Sequence, residues 1–391
     1  MPSVPTTSLD LSAPDVVADP YPHFAEERAA HPVAWHEPSS TWLAFDHASV
    51  SAVQRDRRLG RIWRDREPAA YLEPFNLLHR NQMMENEPPE HTRLRRPVAQ
   101  AFGRGHIERL RPRVGELAQE LLAQVDPDGF DVIGDYAEPL PVLVIAELLG
   151  VPASYVPQLR SWSQAIVRMY EPSPSPAVVD AAVSAAGEFA GLLRELVRER
   201  AADPRADLLS DLAATGLTED EMVASAVLLL NAGHEASVNV FGNGLVAMLE
   251  RGLAPGADLA ATVEEMLRFD SALQLFERTA TEPVEVSGVT VDEGQRIAVL
   301  LGSANRDPAV FDAPDEFRVD REPNNHVAFG VGVHFCLGAP LARMELVESL
   351  GALWAAYPSL ALAGVPSPRG TFVLRGFHRV PVRGRPEGGA R

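Results

Sequence analysis

The sequence predicts a mainly α protein with small β-sheets. A single helical pattern runs unbroken over residues 218–250, about 32 residues and so ~48 Å. Helical apolar spacing also covers residues 107–125, 139–149 and 181–202. Strand signals are few and short: residues 33–36 and 41–45 about a turn at Pro38-Ser39-Ser40, and Val284-Glu285-Val286 with Val289-Thr290-Val291 around Gly288.

The elements follow in order. Residues 1–18, rich in Pro, Ser, Thr and Asp, read as an irregular arm, and residues 22–30 as a short helix. Residues 60–86 have no clean period and mix Trp63, Tyr71, Phe75, His79, Met83 and Met84, the pattern of a partly buried loop. Pro88-Pro89-Glu90-His91-Thr92-Arg93-Leu94-Arg95-Arg96 opens a helix. His91 and Arg95, four apart, share a face there, either a solvated face or a clamp for carboxylates. The run 139–149 stops at Gly150 and Pro152. Glu171-Pro172-Ser173-Pro174-Ser175-Pro176 is a hinge or linker between helical runs. Thr218 and Glu221 have the spacing of a capping box at the start of the long helix. Glu265 and Arg268, three apart, can pair on one helix face.

The 391 residues allow a sizeable core. The 46% hydrophobic and 23% charged composition is that of an ordinary globular protein. A formal net charge of −19 argues against a nucleic-acid binder and against an anionic membrane surface. The start, Met1-Pro2-Ser3-Val4-Pro5-Thr6-Thr7, lacks a basic segment, an apolar run and a cleavage site. No stretch approaches the roughly 20 apolar residues of a membrane span. A cytoplasmic monomer is the expectation. Arg93, Arg95, Arg96, Arg104, Arg109, Arg111 and Arg113 crowd one region of this acidic chain, as a solvated face or a docking surface for an acidic partner.

Cys336 is the only cysteine, so it is either an inert buried thiol or a reactive or ligating one. It lies in Phe329-Gly330-Val331-Gly332-Val333-His334-Phe335-Cys336-Leu337-Gly338, followed by Ala339-Pro340-Leu341-Ala342-Arg343-Met344-Glu345. Gly330, Gly332 and Gly338 let the backbone bend tightly against something flat. Pro340 marks a first helical turn, so Cys336 precedes a helix N-terminus, where the macrodipole favours a thiolate. Such a thiolate suits the axial position of haem iron. His234 has no second histidine at metal-ligand spacing and reads as a packing residue.

This stretch resembles the F-G-x-G-x-H-x-C-x-G pattern of the cytochrome P450 superfamily, followed by that family's L-A-R-x-E. The resemblance covers nearly the whole chain and implies that fold as one haem-binding domain over residues 1–391. It implies haem b held by Cys336 as metal ligand, with His91, Arg95, Arg278, Phe329 and His334 as further cofactor contacts. It also implies a structural triad of Glu265, Arg268 and Arg321 supporting the cysteine loop. Residues 60–86 become part of a substrate pocket lined by His79, Met83, Met84, Ala232, Ala236, Gln274, Phe276 and Phe372. The Pro-Ser hinge becomes a lid, and the arginine cluster a ferredoxin site.

Ala232-Gly233-His234-Glu235-Ala236-Ser237 is similar to the family's A-G-x-[DE]-T-[TS], with one departure. Glu235 matches the acid, but Ala236 replaces the threonine whose hydroxyl helps deliver protons during dioxygen activation. Ser237 is no simple substitute, since one residue on is about 100° around the helix. Glu235, Ala236, Ser237 and Cys336 are thus the catalytic candidates, with a substrate hydroxyl and ordered water fed by Glu235 as the expected proton route. The activity implied is a monooxygenase acting on a small, largely apolar substrate in specialised-metabolite biosynthesis. Electrons would come from a ferredoxin and its reductase. Oxidative C–C or C–N coupling of an aromatic peptide-like substrate is the second reading, and a haem-binding sensor or recruiting protein without turnover the third.

Overall fold

The computed structural model describes residues 4–171 and 174–384. Its helices are α1 (Pro14–Ala18), α2 (Tyr21–Ala30), α3 (His47–Arg55), α4 (Ala69–Arg80), α5 (Glu90–Ala101), α6 (Arg104–Leu122) and α7 (Pro139–Leu149). They continue with α8 (Val156–Val167), α9 (Pro176–Ala202), α10 (Leu208–Ala213), α11 (Glu219–Glu250), α12 (Leu259–Phe269), α13 (Leu301–Ala304) and α14 (Ala339–Ala356). The largest sheet has six short strands in the order Thr6–Thr7, Val33–His36, Thr41–Ala44, Arg296–Leu300, Leu275–Ala280, Leu59–Gly60. The mainly α expectation with small sheets holds.

The long helix α11 forms as its local chemistry dictates. The Thr218 side chain accepts from the Glu221 amide, and Glu221 accepts back from the Thr218 amide. A reciprocal cap of this kind stabilises a helix start by about 1 kcal/mol. From Val223 to Met248 the helix is mostly buried, because α4, α7, α8, α9, α12 and α14 pack around it. A second apolar cluster lies between the sheet and α3, and a third joins α1 and α2 to Phe45, Phe372 and Val373.

Three expectations are corrected, and the fourth, on the arginine cluster, gains detail. The N-terminal arm is not wholly irregular: Thr6–Thr7 pairs in parallel with Trp35 and His36, and α1 follows. Residues 60–86 contain α4, concealed in the sequence by the internal Pro74, whose missing N–H and fixed φ argue against helix. Helix α9, at 27 residues, is long and apolar enough by composition to cross a membrane. Here its apolar face packs against α4, α8 and α11, as in a core helix. The arginine cluster is largely neutralised: Arg93 pairs with Glu90 and Glu221, Arg111 with Glu108 and Glu348, and Arg113 with Glu116, Glu120 and Glu147. Arg96 is exposed; the side chain of Arg104 lies outside the described residues, as do Pro172 and Ser173 of the hinge.

The segment leading to the cysteine loop hangs on one buried carboxylate. Glu265 accepts from Arg268 Nε at 2.7 Å and Arg321 Nε at 3.0 Å, and neither Glu265 nor Arg268 has exposed surface. The two guanidinium groups then donate to the carbonyl oxygens of Asn305, Asp312, Ala313, Pro314 and Glu316. Removing the carboxylate would strand two buried cations, at a cost of ~3–5 kcal/mol. Glu265→Ala should lower the unfolding free energy by about that amount in chemical denaturation. A loss below about 1 kcal/mol would contradict this account.

Candidate functional site

Cys336 sits two residues ahead of the Gly338 N-cap of α14. The loop before it folds on itself: the Cys336 amide donates to the Phe329 carbonyl at 3.0 Å, and the Gly330 amide to that of Val327 at 2.8 Å. Gly332 has φ +80°, and a Cβ there would lie 2.4 Å from the Gln54 carbonyl oxygen. Only glycine fits, because α3 presses backbone to backbone on the loop. Gly338 is different: its φ is −79° and a Cβ would meet only the Cys336 sulfur, at 4.0 Å. Burial pushes the Cys336 thiol up, while the amides of Gly338 and Ala339 and the Arg95 guanidinium pull it down. The Phe329 ring carries the Arg343 guanidinium 4.5 Å from its centroid.

Around this loop gather the donors. His91 and Arg95 both come from α5, one turn apart. Arg95 donates to the carbonyl oxygens of Phe335 at 2.7 Å and Val333 at 3.5 Å, on either side of His334. The His91 ring meets His334 edge-on, 4.7 Å between centroids. His91 is buried, and neither of its ring nitrogens has a partner. Burial, then the nearby His334 and Arg95, hold its pKa down to about 4, so the ring is neutral. His334 Nε2 lies 2.8 Å from Glu87, and Arg278 is the next cation in that row. Arg278 is buried; among the described residues no carboxylate pairs with it, and burial plus the Arg61 charge push it down to about 9. Arg61 pairs with Glu85, and both guanidinium groups lie over the Phe276 ring.

These residues fit a flat dianionic cofactor held by a thiolate. Donors that have been desolvated without an acceptor are costly, and each is satisfied by a bound carboxylate. The middle of α11 fits too. Ala232 is exposed and Gly233 and Ala236 are half-exposed, although the helix is buried on either side. A methyl on Gly233 would meet nothing closer than Ile145, at 3.9 Å. Packing therefore does not explain that glycine, which costs about 1 kcal/mol relative to alanine in mid-helix. An opening lined by small residues inside a core helix leaves room for a ligand against the backbone.

The neighbouring polar residues of α11 turn elsewhere. Glu235 is buried and takes a 2.8 Å hydrogen bond from Arg369 on its Oε2, while its Oε1 has no partner. Burial raises its pKa against the pull of Arg369. His234 is fully buried with neither nitrogen bonded, and burial holds it down to about 3. Ser237 lines a small cavity with Ala137, Pro141, Phe241 and Glu345. Glu345 has no compensating charge there, and burial pushes it up to about 8, so it carries a proton at neutral pH.

Two pocket expectations are corrected. Gln274 is fully buried, and its amide nitrogen donates to the Ser271 carbonyl at 2.6 Å and to the Tyr21 hydroxyl at 3.2 Å. It ties the sheet to α2. Phe372 stacks edge-on with Phe24, 6.2 Å between centroids, in the third apolar cluster. The bridge between Leu273 and Leu374 fixes that turn against the sheet. Met83 belongs to the helical core, Met84 is half-buried, and His79 lines a small cavity between α4, α8 and α11. Arg61, Arg369 and Glu345 escaped the sequence reading as site residues. Only Glu345 had a visible signal, as an acid within an apolar helical run; the other two are defined by partners remote in sequence.

Comparison with known proteins agrees with this geometry. The cytochrome P450 family model matches residues 259–354. The chain is 36% identical to cytochrome P450 monooxygenase PikC of Streptomyces venezuelae, covering 98% of this chain and 95% of that one. It is 35% identical to 6-deoxyerythronolide B hydroxylase of Saccharopolyspora erythraea, over 97% and 99% of the two chains. Among solved structures, P450BioI in complex with an acyl carrier protein ligated to hexadec-9Z-enoic acid superposes with a TM-score of 0.90 at 31% identity, covering 94% and 99%. The chain belongs to the cytochrome P450 family, and its fold is that family's.

The Glu345 carboxyl gives a pH signature. Its folded pKa is raised above the usual carboxylate range, so the folded state holds a proton that the unfolded state releases between about pH 4.5 and 8. Stability therefore falls as pH rises through that window, on the order of 1 kcal/mol per pH unit. Glu345→Gln should flatten the fall in denaturant midpoint between pH 5 and 8 and be at least as stable as the parent at pH 8. An unchanged slope would assign the pH dependence to other groups.

Proposed function

We propose that this protein is a haem-thiolate monooxygenase that oxidises a small, largely apolar organic substrate in specialised-metabolite biosynthesis. The observation that carries the reading is the lone Cys336 beside two buried donors: His91, whose ring nitrogens have no partner, and Arg278, which donates to the Glu277 carbonyl but pairs with no carboxylate among the described residues. In this reading Cys336 ligates the iron of haem b. His91, Arg95, Arg278 and His334 bind its two propionates, and Phe329 packs beside the sulfur. Haem so bound supplies dioxygen activation once electrons arrive, from a ferredoxin and its reductase in our reading. The exposed Arg96 near the cysteine loop favours an acidic electron carrier. Two of the similar proteins, a hydroxylase of a deoxyerythronolide and one in complex with a fatty acyl group on a carrier protein, support an apolar scaffold.

The chain's own residues account for proton supply as follows. Ala236 offers no hydroxyl, and Glu235 is tied to Arg369. Ser237 and the protonated Glu345 line one small cavity, at most about one water in size, and in our reading form a proton reserve beside α11. A substrate hydroxyl over Ala236 completes the route on the other side. Ala236→Thr should then leave the ratio of product to electrons consumed unchanged or lower with a tightly bound hydroxylated substrate. A clear rise in that ratio with every tight substrate would overturn substrate-assisted delivery.

The direct test is the absorption spectrum of the reduced, carbon-monoxide-bound protein. The Soret band should be strongly red-shifted, and Cys336→Ser should lose the shift. Arg278→Ala should retain the band but release haem to apomyoglobin about tenfold faster or more, since it removes a charge-assisted hydrogen bond. A globin-like band in the parent would remove the reading. With substrate in hand, product mass separates oxygen insertion from oxidative coupling: a gain of one oxygen against a loss of two hydrogens.

A further inference from the structure

A small cavity, about the size of one water or hydroxyl, lies between α4, α8 and α11, apart from the cysteine loop. The α11 residues lining it, Ala224, Val227, Leu228 and Asn231, fall on one helix face. Leu228 and Ala232 are four apart, so that face runs on into the opening at Ala232. The rest of the wall includes His79, Gln82 and Tyr170. Most of the molecule's core is apolar, but this end of the cleft is not.

Its polar groups are neutral and incompletely satisfied. Asn231 and Gln82 are more than nine-tenths buried, and the side-chain carbonyl oxygen of each has no partner. His79 is clamped between the Trp63 and Phe75 rings. Its Nδ1–H donates to the Phe75 carbonyl at 2.8 Å, so Nε2 is bare and accepts from the Tyr170 hydroxyl at 3.2 Å. That leaves the Tyr170 oxygen as an acceptor. No charged side chain lines the cavity. The ions nearest to it are engaged: Glu85 with Arg61, and Arg66 with the Met169 carbonyl and the Phe75 ring.

We propose that this cavity is the polar end of the substrate site, and that Asn231 and Gln82 select substrates bearing a neutral hydrogen-bond donor, an alcohol or an amide. The assignment rests on the monooxygenase reading and sharpens its substrate class. The acceptors present are met by an O–H or amide N–H. A carboxylate finds no cation here and an ammonium no anion, so either would be desolvated uncompensated. Two buried amide oxygens without partners destabilise the ligand-free protein, and a ligand that donates to them explains their presence.

The test has two arms. In the first, thermal unfolding is measured without ligand. Asn231→Leu and Gln82→Met, near-isosteric and apolar, should each raise Tm by about 2 °C or more. A fall in Tm for both would make these amides structural and overturn the proposal. In the second, dodecan-1-ol, dodecanamide, dodecanoate and dodecylammonium are titrated into the haem-loaded protein by spin-state change. The alcohol and amide should bind at least about tenfold tighter than the two ions, an advantage lost in Asn231→Leu. Tightest binding of either ion, or an order unchanged by the substitution, would overturn the assignment. Should none of the four shift the spectrum, the stability arm decides. A parent protein without the red-shifted carbon-monoxide band would fail the haem reading, whereas a normal band with unaltered selectivity would fail this one.

Discussion

Glu265 holds the chain where the site needs it. Its carboxylate lies on α12, but its partners, the amide of Arg318, the Arg321 guanidinium and the amide of Asn324, belong to the segment that delivers the cysteine loop. Arg268 adds the carbonyls at Asn305, Pro314 and Glu316. Asn305 in turn accepts from the Val327 amide at 2.7 Å, nine residues before Cys336. This irregular stretch has no sheet or helix of its own to satisfy its backbone, and two buried arginines take that role. A buried ion pair is weak evidence for net stability, yet it fixes one arrangement, because every alternative leaves a charge unpaired.

The second constraint is α11. It is the helix around which the others pack, so everything it presents in mid-chain is either core or site. Its polar residues are distributed by direction: Glu235 towards Arg369, Ser237 towards Glu345, Asn231 towards Gln82 and Tyr170. Only the Ala232, Gly233 and Ala236 face is left open. The helical rotation of about 100° per residue puts Asn231 and Glu235, one turn apart, on one side of α11 and Ala232 and Ala236 on the next. A threonine in place of Ala236 would put a hydroxyl on the open face; Ser237 puts one behind it.

Much of this was legible in the chain. The bounds of α11 follow from the capping box at Thr218, a contact spanning three residues. The end of α7 follows from Gly150, which adopts φ +78°. His91 with Arg95 and Glu265 with Arg268 are one-turn pairs, so periodicity alone puts each on a common face. Helix α4 was hidden by Pro74, since tertiary burial of Leu72, Phe75 and Leu78 outweighs the local penalty of an internal proline. The pairing of the arginine cluster is only partly visible in the sequence, because the acids of α7, α11 and α14 that meet α5 and α6 lie far along the chain.

The sequence by itself determined the fold class and the family, because these rest on local periodicity, caps and a dense motif. Tertiary structure alone decided which side chains face one another across elements. It turned Phe372 onto Phe24 and Gln274 onto Tyr21, and took both out of the pocket. It brought Arg369 to Glu235 across 134 residues, and Gln82 to Asn231 around a common cavity. The physical reason is that side-chain direction in a packed core is set by the partner element's surface. That surface is not encoded in the neighbouring sequence.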